Sequence, residues 1–151
     1  MKTLEISLGD RSYPIYIGSG LLSKADLLIP HIHGKQVFII SNEIVAPLYL
    51  SQLVETLGDT YDVASFILPD GEQTKSLSQV ESVFSGMLKV PCDRTATIIT
   101  LGGGVVGDLA GFCAASYQRA LTLSKSQPRY YRKSIHQLAG KQALIIRLVK
   151  I

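Results

Sequence analysis

The chain has 151 residues, 46% of them hydrophobic, and a mean hydropathy of +0.24, which allows one domain with a real core and excludes general disorder. No apolar run approaches the roughly 20 residues needed to span a bilayer. The net charge of +3 is uneven: residues 1–119 hold eight Lys/Arg against all twelve Asp/Glu (−4), while residues 120–151 hold seven Lys/Arg and no acid (+7).

Thr3 to Leu8 alternates in polarity and predicts a strand, with no secretory signal in its sequence. Tyr13 to Ile17 predicts a second strand, with Gly9-Asp10 as the hairpin turn between them. Leu21 to Ile29 predicts a short helix ended by Pro30. The apolar run Gln36 to Ser41 predicts a strand buried on both faces, as in a parallel sheet. Ile44 to Leu57 predicts a helix with Pro47 in its first turn and Gly58 at its stop, and Val63 to Leu68 the next strand.

Ser76 to Lys89 carries the clearest helical period. Leu77, Val80, Val83, Phe84, Met87 and Leu88 fall on one face, and Ser76 with Gln79 fits a capping box. Thr95 to Leu101 predicts another buried strand and Val106 to Tyr117 the helix after it. This alternation predicts an α/β fold, a Rossmann-like nucleotide-binding domain on a parallel sheet.

Chemistry concentrates in two loops. Gly102-x-Gly104-x-x-Gly107 lies between a strand and a helix, where free N–H groups and a positive dipole end favour a phosphate. The loop comes late, and no acid follows Asp108, so an ordinary dinucleotide dehydrogenase fits poorly. Asp108 itself reads either as a helix-end carboxylate satisfying free N–H groups or as an acceptor for a ligand hydroxyl. The second loop, Pro69-Asp70-Gly71-Glu72-Gln73-Thr74-Lys75, falls on the same sheet edge, where Glu72 and Lys75 could hold ribose hydroxyls. Asp70-Gly71 alone would be only a turn. His31-x-His33 has ligand spacing but no nearby carboxylate or thiolate, and His136 stands alone, so no metal site is expected. Cys92 and Cys113 read as two small residues of a reduced, cytoplasmic protein.

The segments LGDRSYPIYIGSGL, APLYL, LPDGEQTKS, LGGGVVGDLAGF and AASYQR together resemble the 3-dehydroquinate synthase family, in order and spacing, over residues 1–119. The resemblance implies the dehydroquinate synthase-like fold, incomplete here, with a C-terminal helical domain that this sequence does not contain. It implies a cytoplasmic enzyme of the shikimate route that converts a phosphorylated keto-acid (DAHP) to 3-dehydroquinate and phosphate. NAD is used and regenerated in each turnover, with a zinc or cobalt ion. By position, Asp70, Gly71, Glu72, Gln73, Thr74 and Lys75 would contact NAD, as would Gly103, Gly104, Val105, Val106, Gly107 and Asp108. Arg119 matches a family arginine that binds substrate phosphate across a homodimer interface. No nucleic acid or membrane partner is implied.

After Arg119 the resemblance stops as protein but continues in a shifted reading frame. Codons for the family's Gly-Val-Asn-Phe-Ile stretch, read one base out of frame, give Ala120-Leu121-Thr122-Leu123-Ser124. Its later Gly-Gly-Lys segment gives Leu138-Ala139-Gly140-Lys141, and Gly-Lys-Asn-Met gives Val149-Lys150-Ile151 and then a stop. Residues 1–119 are therefore expected to be an incomplete NAD-binding domain, and residues 120–151 a frameshift product. No catalytic residue or metal ligand is expected in this chain, and no turnover. The alternative is a noncatalytic nucleotide- or nucleic-acid-binding module that uses the basic tail.

Overall fold

The structure, a computed structural model, describes residues 1–9, 12–90, 92–93, 95–117, 135–137 and 143–146. Strand β1 (Lys2–Ile6) pairs antiparallel with β2 (Tyr13–Ile17), with Leu4 opposite Ile15. Gly9, at φ 62°, occupies the left-handed region at the start of their turn, which glycine adopts without strain. The far side of β2 carries β7 (Ala143–Ile146), which in turn pairs with β6 (Ile135–Gln137), for the order β1-β2-β7-β6. No strand was expected in that segment. The open edge of β2 and the apolar Ala143-Leu144-Ile145-Ile146 run supply a reason for the pairing.

The expected helix over Leu21 to Ile29 is broken into three short pieces. These are a 3₁₀ turn at Leu21–Ser23, helix α1 (Ala25–Leu28) and a second 3₁₀ turn at Ile29–His31. Pro30 lies within the last turn, where its preset φ and missing N–H are tolerated, and α1 ends two residues before it.

From β3 onward, strands and helices alternate as expected. Strand β3 (Gln36–Asn42) is central, flanked in parallel by β4 (Asp62–Leu68) and β5 (Thr97–Leu101). Helix α2 (Ala46–Leu57) connects β3 to β4, α3 (Leu77–Lys89) connects β4 to β5, and α4 (Gly104–Ser116) follows β5. Period-two alternation divides the core. Val37, Ile39, Ile99 and Leu101 pack with Leu53 and Leu57 of α2 on one face. Phe38, Ile40 and Ile98 pack with Val83 and Met87 of α3 and with Leu109 and Cys113 of α4 on the other. Burial pushes the Cys113 thiol up to about 12, so it stays protonated and packs as a small apolar group.

Two details of α3 and α4 differ from the sequence pattern. Leu77 and Leu88 are 80% and 74% exposed, because one sheet face buries a narrower stripe than the helical period offers. Helix α4 begins at Gly104, before the first apolar residue of its pattern, because Gly103 rather than a polar side chain ends the preceding loop. Among the described residues no helix is long and apolar enough to cross a membrane.

Candidate nucleotide site

The chain leaves β3 for β4 on one side and returns to β5 on the other, so loops diverge at the carboxyl end of β3. Such a switch point is where an open α/β sheet makes a crevice for a ligand. Three segments meet there: Asn42, the last residue of β3, with Glu43 after it, Pro69–Lys75 after β4, and Gly102-Gly103 after β5.

The glycine loop ends in Gly103, whose extended backbone (φ −84°, ψ −165°) starts α4 with no side chain capping it. Free N–H groups are therefore presented at the positive end of the helix. No glycine in this loop has a positive φ, so backbone conformation does not explain the triplet. A Cβ on Gly102 would stand 2.8 Å from a Val106 methyl, which makes that glycine a packing requirement. At Gly103 and Gly104 a Cβ would meet nothing within 4 Å. Neither conformation nor internal packing demands glycine there, and what the bare backbone leaves is room for an outside group to approach. Gly103, Gly104 and Val105 remain accessible, whereas Val106 and Gly107 are buried, with the Gly107 N–H donating to Gly103 O at 3.0 Å.

The second loop is shaped from within. Gly71 takes φ 99°, a region L side chains avoid. The Thr74 hydroxyl, in a buried residue, donates to the Pro69 carbonyl at 3.0 Å, and the Gln73 amide donates to the Asp70 carbonyl at 2.8 Å. Thr74 and Gln73 thus hold the loop, leaving Asp70, Glu72 and Lys75 exposed at its rim. Lys75 Nζ lies 2.8 Å from Glu72 Oε1 and 3.1 Å from Asp108 Oδ2, tying the loop to helix α4. The hydrogen bond to Glu72, then that to Asp108, raises the Lys75 ammonium above its ordinary value of 10.5 and keeps it cationic at neutral pH.

Asp108 does not cap its helix. No acid lies in the first turn of α4, and the Asp108 carboxylate extends outward to Lys75. Beside this pair Ser76, Leu77, Val80, Leu109 and Phe112 line an open cleft of about 280 Å³. A larger hollow of about 490 Å³, with Gln36, Tyr61 and Cys92 on its walls, lies at the opposite, amino edge of the sheet, away from these loops.

The backbone of the histidine loop is held against β5. The His33 N–H donates to Thr97 Oγ1 at 2.9 Å and its carbonyl accepts from the same hydroxyl at 3.0 Å, fixing the loop backbone. No group of three or more His, Cys, Asp or Glu that could hold a metal occurs among the described residues. Arg119 and the side chain of His136 lie outside the described residues.

Sequence reasoning missed Asn42 and Glu43. Asn42 Nδ2 donates to Asp70 Oδ1 at 2.6 Å, and its Oδ1 accepts the Val45 N–H at 3.0 Å. Glu43 Oε1 accepts the Asp70 N–H at 3.3 Å. The available signal was a polar pair closing an otherwise apolar strand.

A profile described as 3-dehydroquinate synthase N-terminal matches residues 65–128, a range that runs past Arg119. A 3-dehydroquinate synthase of Pseudomonas fluorescens (strain Pf0-1) is 55% identical over 121 residues, covering 80% of this chain and 33% of that protein. The counterpart in Azotobacter vinelandii is 51% identical over the same length and the same shares. The chain thus spans about a third of the length of the curated relatives it matches. Among solved structures, a 2-deoxy-scyllo-inosose synthase complexed with carbaglucose-6-phosphate, NAD+ and Co2+ superposes with a TM-score of 0.69 at 26% identity, over 78% of this chain and 33% of that one. A 2-epi-5-epi-valiolone synthase from Streptomyces hygroscopicus subsp. jinggangensis 5008, with NAD+ and Zn2+ bound, gives 0.55 at 28% identity, over 76% and 32%. The matching four-fifths of this chain is thus similar to the 3-dehydroquinate synthases, and residues 65–128 match the profile of their N-terminal part.

Proposed function

We propose that the described α/β domain is the NAD-binding part of a 3-dehydroquinate synthase, an enzyme that eliminates phosphate from DAHP and recloses the carbon ring. The observation that carries this reading is the Lys75 bridge, which brings the charged rim of the 69–75 loop to the helix that follows the bare glycine turn. The residues fit the coenzyme. Gly103, Gly104 and Val105 present backbone N–H groups and open space to a pyrophosphate. Glu72 and Lys75 hold ribose hydroxyls by charge-assisted hydrogen bonds, with Asp70 beside them and Asp108 facing the cleft. Gly71, Gln73 and Thr74 keep the loop in shape, while Val106 and Gly107 anchor the helix start from the core. NAD held by these residues would supply reversible hydride-acceptor chemistry to the complete enzyme.

A zinc or cobalt ion does not fit the described residues, among which no group of three or more His, Cys, Asp or Glu could hold one. On this reading the 151-residue chain binds NAD without turning over substrate. Arg119 would meet the substrate phosphate in a homodimer, and the setting is cytoplasmic. Residues 120–151 are read as an out-of-frame product, supported by their acid-free composition and by the codon correspondence described above.

Isothermal titration of the purified chain with NAD should show saturable binding, weakened about tenfold in Lys75→Met through loss of charge-assisted contacts. Dehydroquinate formation should be absent from the same preparation. No NAD binding, or measurable turnover, overturns the respective part. Sequencing the nucleotides around and beyond codon 120 should reveal a family frame restored by a single-base insertion; downstream nucleotides in which no single-base insertion restores that frame remove the frameshift reading.

A further inference from the structure

We infer that Asn42 is a positioning residue that presets the nucleotide loop before any ligand arrives. The residue is 8% exposed, and its carboxamide uses both ends. The oxygen accepts the Val45 N–H at the entry to α2, and the nitrogen donates to the Asp70 carboxylate across 28 residues of sequence. Glu43 accepts the Asp70 N–H, so consecutive residues of one strand end grip both the side chain and the backbone of Asp70. Asp70 in turn fixes the loop that follows, because its carbonyl accepts from Gln73 and it precedes the positive-φ turn at Gly71.

A buried amide is suited to this task where a carboxylate is not. It donates to one partner and accepts from the other at the same time. A carboxylate at position 42 would still accept from Val45 but would repel Asp70 at hydrogen-bond distance. The strand supplies rigidity, since β3 is held on both sides by β4 and β5. A group mounted there transmits its position to the loop at little entropic cost. The inference rests on the NAD reading only for its functional consequence; the preset loop is a property of the free protein.

The test is hydrogen exchange of the ligand-free, full-length chain. Asn42→Asp keeps the helix-entry acceptor and should raise exchange across residues 70–75 about tenfold, with far smaller changes in β3 and α4. The double variant Asn42→Asp/Asp70→Asn reverses donor and acceptor and should restore wild-type protection. Unchanged loop exchange in Asn42→Asp overturns the inference, as does loss of loop protection or of fold that the double variant fails to reverse. NAD titration of Asn42→Asp should show weakened affinity. A wild-type chain that binds no NAD while the exchange results hold removes the NAD reading and leaves the positioning role standing.

Discussion

At the residue scale, glycines with the same local sequence context have different reasons to be glycine. Gly102 sits against Val106, so Gly102→Ala forces a side chain into a filled space and should cost about 1–3 kcal/mol, read as a lowered melting temperature. Gly104→Leu adds bulk where the structure has nothing to meet it, so the fold should survive while NAD affinity falls about tenfold or more by occlusion. Comparable melting losses in both variants would mean that the open side of the loop is structural after all. The spacing Gly102-x-Gly104-x-x-Gly107 made a phosphate loop legible in the sequence, but not the division of labour within it. That division depends on where the Val106 side chain packs, a fact of the folded helix. Asp108 is a similar case. By sequence its carboxylate suits either a helix end or a ligand hydroxyl, and in the fold Lys75, from a distant loop, pairs with it.

At the scale of elements, α3 tests how far periodicity can be trusted. Its pattern placed Leu77, Val80, Val83, Phe84, Met87 and Leu88 on one face, yet full burial is confined to Val83 and Met87. Met87→Ala should therefore cost about 2–5 kcal/mol, while Leu88→Ala should stay within about 0.5 kcal/mol, measured by denaturant unfolding. Equal losses would place Leu88 in a core the structure does not give it. The Ser76 hydroxyl does accept the Gln79 N–H, at 3.4 Å, so the amino-terminal signal of this helix was sound. The segment from Leu21 to His31 shows the opposite outcome. Its apolar spacing suits one helix, but the buried Leu21, Leu22 and Leu28 all pack against the α2 face of the sheet, which three short turns accomplish. Packing against the sheet overrides a weak local preference of that length.

At the scale of the whole molecule, a three-stranded parallel sheet with helices on both faces brings three loops to one edge. Runs such as Gln36–Ser41 and Thr97–Leu101 are apolar enough to fix buried strands wherever they occur, and the intervening helical periods make the connections parallel. The strands of the parallel sheet, helices α2 to α4, the glycine turn and the family resemblance were thus legible in the sequence alone, because each depends on residues close together in the chain. The bond from Asn42 to Asp70, the bridge from Lys75 to Asp108, and the bare approach at Gly103 and Gly104 were decided only by the tertiary structure. Those contacts join positions that the sheet order makes neighbours, and no local pattern of charge or hydropathy encodes which distant side chain will arrive.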